Sequence, residues 1–352
     1  MLIDKKVAVV FTASIIGGHE LMAINHIKRF IKKGISISLF VPRDNKKLID
    51  FLSKSSIEFS LHEVLHRKLE IIHSFFNVKY QGESNDFLKS IKDKFDHIVI
   101  VQGDIELGSG MINASRKLGI NNVISYIPYT HSFKKMGSRC AFVKDLLAKH
   151  VYGNCGNYIT ICNQFYCDLK KKNPTSHVKI LRNFVEHDDF QKRISGERRS
   201  LISPNVITIL MAGRVYFRQK GQDTLIESLK VLSSDIKVNL KVIGDGPDLN
   251  KLVDLSSGLS SRVTVSFMGW KEKVWDYSDD VDLLVIPSNY EGVPLIMLEA
   301  LERGIPVIAP ARDGMIDYIE DRFLYSTGGE EYKSLANKID EFIESKSVGL
   351  IF

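Results

Sequence analysis

Two doubly wound α/β domains, each a parallel sheet flanked by helices, facing one another across a cleft, are the architecture this sequence predicts. Three observations predict it. Apolar runs of strand length, such as KVAVVFT, ISISLFVP, HIVIVQG, VITILMAGR and KVNLKVIG, alternate with amphipathic stretches along the chain, the pattern of βαβ units. At 352 residues there is room for two domains of ordinary size. Between them, EHDDFQKRISGERRSLISPN is polar and charged without apolar periodicity. It reads as a linker at 186–205, separating a domain at 1–185 from one at 206–352.

In the first domain KVAVVFT is a buried first strand. The turn SIIGGHE leads into an amphipathic helix, ELMAINHIKRFIKKG, which Gly34 stops. ISISLFVP is the second strand, NKKLIDFLSKS a helix and IEFSLHEV a shorter strand. The seventies and eighties are polar and weakly patterned up to a helix at DFLKSIKDKF. HIVIVQG, the helix MINASRKLG and the strand NVISYIPY follow, then loop and helix through HSFKKMGSRCAFVKDLLAKHVYG, and strands at YITICN and VKILRNF. In the second domain the order is VITILMAGR, the helix DTLIESLKVLSS, the strand KVNLKVIG, the turn DGPD and the helix LNKLVDLSS. VTVSFMG, a helix around VWDYSDD, the unit DVDLLVIPSNYEGVPLIMLEALERGIPVIAP and a closing helix YKSLANKIDEFIE complete it.

Hydrophobic content of 44% with 26% charged residues is that of a globular protein. No apolar run reaches the length of a membrane span. Lys5 and Lys6 before VAVVF resemble a leader, but the Gly pair and the amphipathic helix that follow fit a buried strand better. A cytoplasmic protein is expected. Cys140, Cys155, Cys162 and Cys167 show no C-x2-C spacing and no neighbouring His cluster, so reduced thiols are expected and no metal site. The net charge of +6 is uneven: residues 1–190 carry 28 Lys+Arg and 18 Asp+Glu, the rest 20 and 24, giving +10 and −4. A basic first half suits an anionic partner such as a membrane surface, and the protein is expected to touch the membrane peripherally. No nucleic-acid motif interleaves aromatics with the basic residues.

Open α/β sheets bind ligands beyond the carboxyl ends of their strands. Three second-domain loops lie there. In MAGRVYFRQKG, Gly213 ends the strand, and Arg214 and Lys220 offer a bidentate and a point-charge contact for phosphate. In VIGDGPDLNKL, Gly244 opens a turn into a helix. In the third, Glu291 lies in the loop and Glu299 on the following helix, interrupting the apolar positions Leu295, Ile296, Leu298, Ala300 and Leu301. A carboxylate in a packed segment is costly unless paired. Two carboxylates bracketing a helix start suit a ligand with hydroxyls and phosphate: the backbone at Gly292, Val293, Pro294 and Leu295 meets the anion and the acids accept from hydroxyls. In the first domain, Gly17 and Gly18 form a further strand-to-helix turn, and His131 follows a strand in SYIPYTHSF. Lys134, Lys135 and Arg139 come next and suit an anionic acceptor, a lipid, or simply water.

Taken together, GR…KG, GDGP, FMG and PSNYEGVPLIMLEALERGIPVIA resemble the C-terminal domain of the retaining glycosyltransferases of family 4 (glycosyl transferases group 1). The resemblance implies the GT-B fold, two Rossmann-like doubly wound domains. Glu291 and Glu299 match that family's Glu-x7-Glu motif, Arg214 and Lys220 its diphosphate-binding pair, and Gly17-Gly18 its N-terminal Gly-rich loop. LRNFVEHDDF resembles the segment leading into the second domain, with Asn183 and Phe190 matching its Asn and Phe. Gly314 and Ile319 align with a Gly-Gly-x-x-Glu-x-Ile segment whose Glu is missing here, with Asp317 as a substitute. The ESKSVGLIF end leaves little for the family's final crossover helix.

What the resemblance implies is a metal-independent hexosyltransferase whose donor is a uridine- or guanosine-diphosphate sugar, with no further cofactor. The acceptor is a saccharide or lipid-linked, as in cell-surface polysaccharide or glycolipid synthesis. Glu299 binds the ribose, Glu291 the transferred sugar, and Arg214 with Lys220 the leaving diphosphate; His131 touches the sugar. Asp280 and Asp282 form the Asp-x-Asp metal motif of the other glycosyltransferase fold but stand at a strand entrance, and are read as structural. Two rivals remain: a sugar-nucleotide epimerase on the same fold, and a non-catalytic partner subunit.

Overall fold

A computed structural model describes residues 5–55, 57–185 and 206–347. The chain forms two compact units, Met1–Asn183 and Phe184–Phe352; the segment read as a linker, with Phe190, lies outside the described residues.

The first unit is a seven-stranded sheet in the order β3-β2-β1-β4-β5-β6-β7. Its strands are β1 (Lys6–Phe11), β2 (Ser36–Pro42), β3 (Phe59–His62), β4 (His97–Val101), β5 (Val123–Tyr126), β6 (Asn157–Thr160) and β7 (His177–Ile180). Every pairing is parallel, with Val9 opposite both Leu39 and Val99. The central strands read as unbroken Val/Ile runs because parallel sheets are covered on both faces. Ala8, Val10, Ile98 and Ile100 meet Tyr80, Leu88, Met111 and Ile112 in one core.

The second unit is a six-stranded parallel sheet in the order β10-β9-β8-β11-β12-β13. The strands are β8 (Val206–Ala212), β9 (Lys237–Ile243), β10 (Val263–Phe267), β11 (Leu283–Val285), β12 (Val307–Pro310) and β13 (Leu324–Tyr325). The closing helix Glu331–Ser347 presses Leu335, Ile339, Phe342 and Ile343 against Ile207, Ile209 and Val285. Its Asp340 carboxylate accepts from Ser233 N–H at 2.9 Å and Ser234 N–H at 3.1 Å. In each unit the strand order reverses once, between β1 and β4 and between β8 and β11. That reversal opens a crevice at the carboxyl edge.

Several elements differ from the sequence reading. The stretch expected to be irregular holds two helices, Glu70–Phe76 and Val78–Ile91. Their polarity misleads because it is bonded internally. The buried Glu70 carboxylate accepts from Tyr80 Oη at 2.5 Å, from Gly108 N–H at 2.6 Å and pairs with His66 Nδ1 at 2.7 Å, while Asn77 Oδ1 caps the second helix from Tyr80 N–H at 3.0 Å. A further helix, Asn163–Lys172, follows β6. It buries only Phe165 and Leu169, too thin a stripe to stand out among its polar residues. Around VWDYSDD there is one 3-10 turn, Val274–Tyr277. β11 is three residues long, because Pro287 has no N–H to continue the ladder.

Candidate functional site

The second-domain crevice is built by the loops leaving β8 and β11. After β8 the chain runs through Gly213 to a single helical turn, Phe217–Lys220. Two glycines let this loop lie against its neighbours. Gly221 has φ +60°, and a Cβ there would fall 2.1 Å from Pro287 O; at Gly244, φ +148°, it would fall 1.9 Å from Gly213 O. No other residue type fits either place. The N–H groups of Gly213 and Gly244 are bonded to Ile243 O and Gly269 O, both at 2.9 Å. Gly244 therefore serves loop packing, whereas a Cβ at Gly213, φ +143°, would meet only the Lys220 side chain, at 3.8 Å. Asn289 laces the two loops: its N–H donates to Gln219 O at 2.8 Å and its Nδ2 to Phe217 O at 3.0 Å.

At this seam Lys220 Nζ donates to Glu291 Oε1 in an ion pair. Glu291 is buried, and Ser288 Oγ donates to the same oxygen at 3.2 Å. The Glu291 N–H donates to Asp313 Oδ2 at 2.9 Å. Asp313 is itself buried, with φ +53°, a left-handed conformation that a short polar side chain tolerates. Next to it, Gly314 N–H donates to Gly292 O at 3.1 Å, tying the loop after β12 to the motif. Asp317 stands in the same 3-10 segment, Asp313–Asp317; the carboxylate that holds the motif backbone belongs to Asp313.

Arg214 is solvent-exposed, its guanidinium 5.6 Å from the Tyr216 ring centre, while Gln222 Nε2 holds its carbonyl at 2.8 Å. Burial raises the Tyr290 pKa, and Arg218 and Arg214 oppose that rise, so positive charge gathers on this rim. Gly292, Val293 and Pro294 are buried ahead of the helix Leu295–Glu302. Pro294 caps that helix and brings no N–H, leaving Gly292, Val293 and Leu295 as the backbone donors of its start.

Glu299 is half-buried on this helix. Its Oε2 accepts from Trp275 Nε1 at 2.6 Å, and Arg303 stacks its guanidinium 4.5 Å from the centre of the Trp275 ring. Burial pushes the Glu299 pKa up; the Trp275 N–H and then the Arg303 charge pull it back. The two motif carboxylates are thus differently placed, one neutralised by a lysine, the other held by an indole N–H. Asp313, Ser288 and Trp275 were missed in the sequence. Asp313 was readable as an Asp-Gly pair after a strand; Trp275 lies 24 residues from Glu299 and carried no local signal.

The Asp-x-Asp pair serves the scaffold. Asp282 Oδ2 accepts from Thr208 N–H at 2.8 Å and Oδ1 from Lys346 Nζ at 2.7 Å, while Asp280 pairs with Lys241 at 2.5 Å. Among the described residues no group of three His, Cys, Asp or Glu is arranged to hold a metal, no helix is long and apolar enough to cross a membrane, and none of the four cysteines is in a disulfide.

The remaining sequence candidates belong to the first unit. Gly17 stands at the N-cap of the helix Gly18–Lys32, and its N–H donates to the buried Glu20 carboxylate at 2.8 Å, the half of a capping box that a residue without a side chain allows; Gly18 is exposed. Beside them His19 packs 4.6 Å from Tyr126, and burial holds its pKa down at about 3. His131, half-buried in the loop after β5, meets Phe165 edge-on at 5.2 Å, with Lys135 Nζ 3.4 Å from its Nδ1.

A family model decides what this crevice resembles. Residues 192–348 match glycosyl transferases group 1. The chain is 24% identical to an uncharacterized glycosyltransferase of Haemophilus influenzae over 314 residues, covering 88% of this chain and 82% of that one. It is 30% identical to the lipopolysaccharide 1,6-galactosyltransferase of Escherichia coli over 165 residues, 40% of this chain and 45% of that one. Among solved structures, the apo lipopolysaccharide outer core galactosyltransferase WaaB superposes with a TM-score of 0.71 at 18% identity, covering 97% of this chain and 91% of that one. Anabaena HepE in complex with UDP gives 0.73 at 17%, covering 97% and 90%. The fold is that of the GT-B glycosyltransferases: two Rossmann-like units with parallel sheets. The second unit carries the glycosyl transferases group 1 domain.

Proposed function

We propose that the protein is a retaining, metal-independent glycosyltransferase. It moves a hexose from a nucleoside-diphosphate sugar, uridine- or guanosine-linked, to a saccharide or lipid-linked acceptor in cell-surface polysaccharide or glycolipid synthesis. The observation that carries this reading is the Lys220–Glu291 pair at the β8/β11 reversal, with Glu299 on the helix that follows. The WaaB and HepE likenesses and the lipopolysaccharide relative support the choice of substrate class.

In this reading Lys220 and the exposed Arg214 neutralise the diphosphate, and the backbone N–H groups of Gly292, Val293 and Leu295 add to them. Glu299 accepts from the ribose hydroxyls. Glu291 and, from the first domain, His131 contact the transferred sugar. The bond from the anomeric carbon to the phosphate oxygen breaks and the diphosphate keeps the electron pair. The acceptor oxygen bonds to the same face of that carbon, and its proton passes to the departing phosphate. Cations already in place stabilise the charge as it develops.

A thermal-shift screen of UDP-, GDP- and ADP-sugars tests the donor assignment. The correct donor at a hundred times its Kd stabilises the folded protein by about 2.7 kcal/mol; no response to any of them refutes it. NMR of the product anomer tests retention, and turnover after chelation tests metal independence.

A further inference from the structure

Three successive residues of the loop after β12 hold three points of the loop after β11. Arg312 Nη1 donates to Asn289 O at 2.8 Å, Asp313 Oδ2 accepts from Glu291 N–H at 2.9 Å, and Gly314 N–H donates to Gly292 O at 3.1 Å. The loops run side by side because β11 and β12 are parallel neighbours, with Val285 opposite Ile308. Arg312 is fixed from behind by its ion pair with Glu331 at the start of the closing helix, and Ala311 N–H donates to Tyr325 O at 2.9 Å. Only glycine lies as close as Gly314 does, since a Cβ there would fall 2.3 Å from Gly292 O.

The middle contact costs more than packing requires. Asp313 is only 4% exposed, and a carboxylate is expensive to bury where a carbonyl could accept the same N–H. Its φ of +53° lies in the left-handed region, which a side chain adopts at a cost that glycine avoids. Among the described residues of the second unit no other non-glycine residue has a positive φ. A buried charge and a strained backbone at one position, set against the motif loop, point to function there. The Lys220–Glu291 pair shows what that function is. Glu291 is held at both ends: its N–H by Asp313, its carboxylate by Lys220 Nζ and by Ser288 Oγ at 3.2 Å. A diphosphate entering the crevice competes for the Lys220 charge, and the side-chain end of that hold loosens as the lysine turns. The Asp313 contact is at the other end and is unaffected.

We propose that Asp313 is a positioning residue of the transfer reaction, which keeps Glu291 aimed at the sugar when Lys220 turns to the diphosphate. Arg312 and Gly314 set Asp313 in register by holding the residues on either side of the contact. The inference rests on the proposed donor site and deepens it.

Two variants of the full chain test it. Asp313→Gly suits the positive φ and removes the acceptor; Asp313→Asn keeps an acceptor oxygen on a side chain that tolerates the same conformation. Turnover of the uridine- or guanosine-diphosphate sugar that wild type uses should fall about a hundredfold in the glycine variant. In the asparagine variant it should return to within about fivefold of wild type. The Kd of the nucleoside diphosphate alone should stay within about twofold in both, because that ligand lacks the sugar that Glu291 meets. Hydrogen exchange reads the contact itself: the Glu291 N–H should exchange at least about tenfold faster in the glycine variant than in wild type. The inference is overturned if the glycine variant turns over like wild type, if its Glu291 N–H exchanges at the wild-type rate, or if the asparagine variant is as slow as the glycine one. It is also overturned if nucleoside-diphosphate binding weakens as much as turnover, which makes Asp313 part of the scaffold. Wild type that turns over neither kind of sugar overturns the donor assignment and this inference together; each of the other adverse results overturns this inference alone.

Discussion

Replacing Lys220 with Met removes the cation from the crevice and keeps an apolar stem of similar length. Glu291, whose side chain is 4% exposed, then retains Ser288 Oγ and loses its counter-charge. Breaking a fully buried pair from one side costs about 3–5 kcal/mol. The Lys220 side chain is 25% exposed, so water reaches that end and the cost falls to about 2 kcal/mol. For a domain of this size that lowers Tm by roughly 4–8 °C. Glu291→Gln leaves Lys220 free to turn to solvent and should cost about 1 kcal/mol or less. The double variant buries no unpaired charge and should recover most of the Lys220→Met loss, a coupling of about 1–2 kcal/mol. Turnover should behave differently. Each single variant is expected to lower it by about two to three orders of magnitude, and the double should not recover. Melting curves and product formation from a nucleoside-diphosphate sugar measure the two quantities on one set of proteins. If Lys220→Met melts like wild type, the pair is not the seam of the crevice. If the double variant regains turnover along with stability, the pair is scaffold and its chemical role is refuted.

Trp275→Phe keeps a ring beneath Arg303 but removes the N–H that Glu299 accepts. Donor KM should rise about tenfold with kcat nearly unchanged, most steeply at acid pH, because losing that bond raises a carboxylate pKa already pushed up by burial; an equal loss with a 2′,3′-dideoxyribose donor would refute the ribose role of Glu299. Gly244→Ala sets a Cβ against Gly213 O at φ +148° and should cost about 3 kcal/mol in urea denaturation. Gly269→Ala, at φ +64° with nothing within 4 Å, should cost only about 1 kcal/mol; equal costs would show that the close approach is not needed. Burial, then the nearby Glu106, raises the Asp104 pKa to about 6, so its contribution to stability is present below the ordinary carboxylate range and lost as pH rises through 6. Asp104→Asn keeps an oxygen for the Glu106 N–H at 2.8 Å and the Leu107 N–H at 3.3 Å. It should be more stable than wild type by roughly 1–3 kcal/mol at pH 7 and equal to it near pH 4; a gap independent of pH would contradict the raised pKa.

The donor side of the crevice could be read from the residues because its chemistry sits on short loops at strand ends. Lys220 lies eight residues past the end of β8 at Ala212 and Glu291 six past the end of β11 at Val285, so each declares itself beside an apolar run. Trp275 and Asp313 act on the same carboxylates from other segments, and only the folded chain brings them there. Gly244 is legible as a glycine but not in its use. Glycine in a phosphate-type loop either exposes N–H groups or lets two backbones touch, and here its N–H is already bonded to Gly269 O. In the first unit the signals fail for a different reason. Glu70, Ser84 and Lys144 occupy inward positions of their helices, and a pattern based on polarity alone turns such helices into loops or turns them inside out.

Lys220 and Glu291 are 71 residues apart, and no rule of local spacing connects them. What joins them is the sheet. After β8 the chain moves outward through β9 and β10, then returns to lay β11 against the opposite side of β8, with Leu283 opposite Ile209. The two strands are neighbours whose connections depart in opposite directions, so no helix fills the space above their carboxyl ends. A positive loop and an acidic loop must then meet there, and Gly221 allows the contact by lying against Pro287 O. The pair therefore depends on topology as much as on its two side chains. A substitution that closes this gap, such as Gly221→Val, should disable the crevice without touching either charge: urea denaturation should show a loss of at least about 3 kcal/mol, and nucleotide binding should fall with it. Full nucleotide binding by that variant would show that the β8/β11 reversal is not what builds the site.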